Sequence, residues 1–173
     1  MRNLLLISGT ICLTAASVQA QVKITGTVTC PAKSVQQLVL PVGDKADHQM
    51  MLAQDKCTWT KPFQLYGSPV KESNQVSFNE VTGNSAKGYG FDVGTTANGD
   101  KYFVRFEGPA TLQNGNMVSS SGTWSFLGGT GKLSRLQGKG TFSCKGSATG
   151  TACDIVGELP PAASIMPVEK GGK

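Results

Sequence analysis

Two Asn-Gly pairs, Asn98-Gly99 and Asn114-Gly115, constrain this chain more than anything else in it, because each sits between runs of alternating polar and apolar residues. A two-residue hairpin loop of type I′ needs positive φ at both central positions, and Asn-Gly supplies that more readily than other pairs. The pairs predict three consecutive antiparallel strands, Ser85–Thr96, Lys101–Gln113 and Asn116–Leu127. Gly128-Gly-Thr-Gly131 makes the next turn, and Gly138–Lys145 and Thr151–Glu158 read as further strands. Nearer the start, Val22, Ile24 and Val28 alternate with Lys23, Thr25 and Thr27 as a first strand. Gly26 falls on its apolar face, the mark of a bulge or of a close approach of backbone. Gln36–Leu40 reads as a short strand or one helical turn, Pro41-Val-Gly-Asp44 breaks the pattern, and His48–Thr60 reads as a strand. Apolar faces of helical period are scarce. The class is all-β, a meander that either closes into a barrel or packs as a sandwich.

The first residues have another character. Arg2, an apolar run from Leu4 to Ala16 and the small-residue end Val18-Gln19-Ala20 form the pattern of a secretory signal, too short to span a bilayer. Cleavage after Ala20 is expected, leaving a secreted or periplasmic chain that starts at Gln21. Cys12 follows Ile11 rather than a small residue, which argues against a lipoprotein. No later run is apolar enough to span a membrane. The remaining residues suffice for one domain with one core, expected over 21–159. After Pro160-Pro161 the composition predicts a disordered tail, 160–173. Loss of Arg2 takes the formal charge from +5 to +4, and the basic residues are scattered. A nucleic-acid surface needs a concentrated stripe, so none is expected as a partner.

Cys12 leaves with the signal, and Cys30, Cys57, Cys144 and Cys153 remain, an even number in an exported chain. Three pairings are open. Cys144 and Cys153 flank the turn residues 146–150, where a cross-strand bridge fits, and that leaves Cys30 with Cys57. A zinc site finds little support, with no C-x-x-C pair and His48 the single histidine. The run Asp44-x-x-Asp47-His48 could hold a metal or relay a proton, though such runs are more often solvated loops. No phosphate loop and no G-x-S-x-G elbow occurs, and no metal or cofactor is expected.

A two-residue loop at Asn98-Gly99 sets the faces of the strands. It places Phe91 opposite Phe106 and Val93 opposite Val104 on one face, with Asp92 opposite Arg105 and Gly94 opposite Phe103 on the other. Carried across Asn114-Gly115, the register sets Trp124 beside Arg105 and Phe126 beside Phe103. Asp92, Phe103, Arg105, Glu107, Trp124 and Phe126 then form an aromatic face with a few convergent polar groups, the usual make-up of a small-molecule site. Arg105 would anchor a carboxylate or phenolate, and Asp92 or Glu107 would serve as acid or base. The competing reading is an exposed ion pair on an outer face.

Gly128-Gly-Thr-Gly-Lys-Leu-Ser-Arg-Leu-Gln-Gly-Lys-Gly-Thr-Phe142, with Gly122-Thr-Trp124 and Ala97-Asn-Gly-Asp-Lys-Tyr102 beside it, resembles the G-G-T-G-K-[FL]…G segment of dirigent proteins and allene oxide cyclases. Nearer still are small bacterial exported proteins of that superfamily, themselves uncharacterised. The resemblance spans roughly Ser85 to Phe142. It implies an antiparallel up-and-down barrel of about eight strands around an apolar cavity, often trimeric in the plant proteins. Those proteins guide ring closure of an epoxide or coupling of phenoxy radicals, mostly through cavity shape. The resemblance lies in structural glycines, so no catalytic residue carries over. The expected function is binding of a small apolar or amphipathic ligand in the cavity. The alternatives are a cyclase- or dirigent-type cavity enzyme or guide, and a structural module whose aromatic face joins copies of the chain.

Overall fold

The computed structural model describes residues 21–161. The signal peptide expected over 1–20 and all but the first two residues of the expected tail lie outside the described residues. Ten strands follow in order: β1 (Val22–Pro31), β2 (Gln36–Pro41), β3 (His48–Lys61), β4 (Gln64–Leu65), β5 (Ser68–Thr82), β6 (Ser85–Thr96), β7 (Lys101–Gln113), β8 (Asn116–Gly129), β9 (Lys139–Ser147) and β10 (Gly150–Leu159). All pairings are antiparallel. Because β3 pairs with both β1 and β5, the sheet closes on itself as an eight-stranded barrel. β2 and β4 are short extra strands on β3 and β5. The expectation of an all-β barrel of about eight strands is met, and Gln36–Leu40 is strand rather than helix.

The Asn-Gly loops differ from each other. Asn114 (φ 51°) and Gly115 (φ 77°) both adopt the left-handed conformation, and Gln113 faces Asn116 across a two-residue loop, as the sequence predicts. At the other, only Gly99 (φ 89°) is left-handed. The Asn98 side chain accepts hydrogen bonds from the Thr96 hydroxyl and the Asp100 N–H, while Thr96 N–H donates to the Asp100 carbonyl at 2.9 Å. The loop therefore has three residues, and β6 and β7 slip by one relative to the expected register.

Large rings fill the barrel by lying on glycines of the neighbouring strand. Tyr102 faces Gly94, Phe106 faces Gly90, Phe142 faces Gly122 and Trp124 faces Gly140. At each of these glycines a Cβ would run into the facing ring. Gly26 likewise has Trp59, Phe63 and the Lys61 carbonyl against it, the close approach expected there. One end of the barrel is plugged by Ile24, Phe63, Leu65, Val70 and Leu159, with Leu133 and Leu136 of the loop after β8 folded across it. The glycine-rich segment 128–131 leads from the end of β8 into that loop, which opens with a single 3-10 turn at Gly131–Leu133.

Both expected disulfides are present. Cys144–Cys153 spans directly opposed positions of β9 and β10, and Cys30–Cys57 ties β1 to β3 with Trp59 packed alongside. The half-cystines of Cys30–Cys57 lie 27 residues apart and those of Cys144–Cys153 lie 9 apart, so the chain-entropy model assigns them about 3.5 and about 2.5 kcal/mol respectively. Paired Cys→Ser replacement should show that order in urea unfolding, with the Cys30/Cys57 variant the less stable. Gly94→Ala must push the Tyr102 ring out of its buried seat and should cost about 1–3 kcal/mol in the same measurement.

Candidate functional site

The open half of the barrel holds a cavity of about 380 Å³ with two unlike walls. β7 turns Tyr102, Val104 and Phe106 inward, followed by Gly108, Ala110 and Leu112; β8 adds Trp124 and Phe126, and β9 and β10 add Phe142 and Ile155. This wall is apolar. Opposite it, β5 turns Ser73, Gln75, Ser77 and Asn79 inward, with Asp92 from β6 and Asp55 from β3 beside them. No lysine, arginine or histidine lines the cavity among the described residues.

Asp92 is the centre of the polar wall. It is almost wholly buried, its Oδ1 accepts the Ser73 hydroxyl at 2.7 Å, and the Asn74 backbone N–H supplies a further hydrogen bond. Burial wins over both bonds and pushes the carboxyl up to about 7. Near neutrality it is close to evenly divided between donor and acceptor forms. Asp55 is raised as well, by partial burial opposed by a hydrogen bond from Ser34. Tyr102 accepts the Trp59 indole N–H at 3.1 Å, and its phenol is pushed upward by burial and then by the nearby Asp92 charge. Gln75 donates to both sulfurs of Cys30–Cys57, at 2.9 and 2.8 Å, fixing its amide at the cavity surface.

The structure divides the residues expected to form one site. Asp92, Trp124 and Phe126 line the cavity together, whereas Phe103, Arg105 and Glu107 stand on the outer surface. The cause is register. The three-residue loop at 97–99 sets Asp92 opposite Val104 and Phe91 opposite Arg105, correcting the expected Asp92–Arg105 pair. A bulge at Val118, between the pairs Thr111–Ser119 and Leu112–Met117, then shifts β8 so that Trp124 faces Phe106 and Phe126 faces Val104. β7 alone is thus turned over relative to its expected neighbours. Outside the barrel Arg105 pairs with Glu107 at 2.8 Å and lies 5.5 Å from the centre of the Tyr89 ring.

Ser73, Gln75 and Asp55 were not legible as site residues. β5 reads poorly because its pattern is inverted: polar Ser73, Gln75 and Ser77 face in, while Val76 and Phe78 face out. A strand that lines a polar wall offers no apolar stripe to mark its inner face. Of the Asp44-x-x-Asp47-His48 run, Asp44 and His48 do meet. The His48 ring bonds Asp44 at 2.6 Å and Glu80 at 3.0 Å, which ties the β2–β3 turn to β5 and raises the imidazole pKa, first through the Asp44 hydrogen bond. Among the described residues no cluster of three or more His, Cys, Asp or Glu side chains is placed to hold a metal ion.

A carboxyl whose pKa is raised on folding adds stability that is complete below the unfolded value and disappears as pH rises through the folded one. For Asp92, moving from 3.8 to about 7, the loss is on the order of 4 kcal/mol between about pH 4 and about pH 8. Asp92→Asn should abolish most of that loss in urea unfolding, being more stable than the parent at the higher pH. The exposed His48 ion pairs also weaken as pH rises, but they are common to both proteins and cancel in the comparison.

No family model and no curated protein matches the chain. Among solved structures it is similar to a pterocarpan synthase dirigent protein, with a TM-score of 0.48 at 9% sequence identity over 89% of this chain and 98% of that one.

Proposed function

We propose that this is an exported binding protein whose cavity takes a small apolar or amphipathic molecule, and that the polar end of that molecule is a hydrogen-bond donor, a hydroxyl or an ammonium group, set against Asp92. The observation that carries this reading is the composition of the cavity: an aromatic wall facing two carboxyls, with no basic side chain to receive an anion. An apolar body of modest size gains roughly 25 cal/mol per Å² of surface it buries there. A donor or cation at Asp92 satisfies a carboxyl that has given up most of its hydration. With Arg105 outside the barrel, anchoring of a carboxylate or phenolate is no longer part of the site.

The two disulfides, and the lack of any helix long and apolar enough to cross a membrane among the described residues, are compatible with export. One observation favours a second reading, a guide or cyclase-type enzyme. A carboxyl held at about 7 is poised to pass a proton at neutral pH. In that case Asp92→Asn would abolish product formation while leaving binding of the apolar body intact.

Phenethylamine and phenylacetate share a ring and chain and differ in the sign of the terminal charge. Titrated into the mature protein at about pH 8 and followed by tryptophan fluorescence, the amine should bind at least tenfold more tightly than the acid. Asp92→Asn should remove most of that preference. Tighter binding of phenylacetate, or a preference unchanged by the substitution, would overturn the proposal.

A further inference from the structure

We propose that a second copy of this chain pairs with the free edge of β2, antiparallel and across a two-fold axis at Val39. β2 stands at the end of the strand order, bonded to β3 on one side and, among the described residues, to no strand on the other. It continues along the flank of β3 that β1 occupies lower down, but β10 follows β1 only as far as the Pro31–Gly150 pair, where the β9–β10 hairpin turns back. The barrel wall is therefore notched beside β2.

The groups presented at this edge follow from the ladder. Val42 N–H donates to the His48 carbonyl at 3.0 Å, and bonded positions alternate in an antiparallel pair. Gln36, Leu38 and Leu40 thus direct their backbone groups to β3, and Gln37, Val39 and Pro41 direct theirs outward. Every residue of β2 is exposed, Leu38 at 52% and Leu40 at 54%, and so is Val35 just before it at 61%. No charged residue occurs between Lys33 and Asp44. Edge strands are ordinarily guarded by lysines, inward charges or bulges, and here Pro41 is the single such device.

The occupant is a second copy because the strand complements itself. With Val39 opposite its counterpart, the outward N–H and C=O of the two Val39 residues bond reciprocally, and each Gln37 N–H meets the carbonyl of the other Pro41. The missing Pro41 N–H leaves no donor stranded. On the outer face Leu38 of one copy meets Leu40 of the other, and each is continuous with exposed Met50 and Leu52 on β3. A two-fold contact of this kind is closed and needs only one patch. About six residues a side makes a small interface, so the affinity expected is micromolar. The two-fold replaces the trimer that the resemblance implies.

Sedimentation equilibrium of the mature, disulfide-bonded protein between about 1 and about 500 µM should show a monomer–dimer equilibrium. Val39→Pro removes an outward N–H without touching the β2–β3 ladder and should raise the dissociation constant at least tenfold. Hydrogen exchange on the unsubstituted protein gives an independent reading: the Gln37 and Val39 amides should be protected at high concentration and exchange freely on dilution, while Leu38 and Leu40 stay protected throughout. A monomer at every concentration overturns the proposal. So does a trimer, or an oligomer that dissociates on Phe78→Ser but not on Val39→Pro, since that places the contact on the outer face of β5.

Discussion

The contact between an aromatic ring and a glycine on the adjacent strand underlies the rest of this barrel. An eight-stranded barrel leaves an interior just wide enough for side chains to fill. Here Tyr102, Phe106, Trp124 and Phe142 fill their half lying flat, because the residue opposite each has no side chain of its own. Rings seated in this way occupy little depth and keep the barrel round. The space they leave becomes the cavity, and the same glycines that weaken the strands entropically are shielded by the rings above them.

This packing also explains why the two walls differ. The glycine positions lie on β6, β8, β9 and β10, so the rings collect on that arc of the barrel. β5 has no aromatic residue on its inner face and no glycine along its length, and it is free to present hydroxyls and amides. Asp92 sits where the arcs meet, close enough to Tyr102 for its charge to hold the phenol proton in place and close enough to Ser73 to bond it. Its raised pKa follows from burial beneath the aromatic wall, which outweighs the hydrogen bonds from Ser73 and Asn74.

Most of the strands could be read from alternation and turn residues, since hairpin connections write their loops into the sequence at Asn114-Gly115 and 128–131. What could not be read was parity. The choice between a two- and a three-residue loop at Asn98-Gly99 rests on where one amide side chain hydrogen-bonds, and the bulge at Val118 has no marker in residue type. Each displaces the face assignment by one residue. Because one lies on each side of β7, their effects cancel for its neighbours, which is why Asp92, Trp124 and Phe126 remain together while Arg105 and Glu107 leave. β5 was hidden for a different reason, Val76 and Phe78 facing outward while Ser73, Gln75 and Ser77 line a polar interior.

A cavity with a protonatable carboxyl and no base makes occupancy a matter of acidity as well as concentration. A cationic guest of the kind proposed would compete with a proton for the same Asp92 oxygens, so below about pH 7 each further unit of acidity would weaken it by up to about tenfold. The empty protein is also least stable where such a guest would be held best, so loading there would restore what ionisation removes. Acidity would thus set the affinity of such a cavity through one hydrogen on Asp92, with no moving part beyond it.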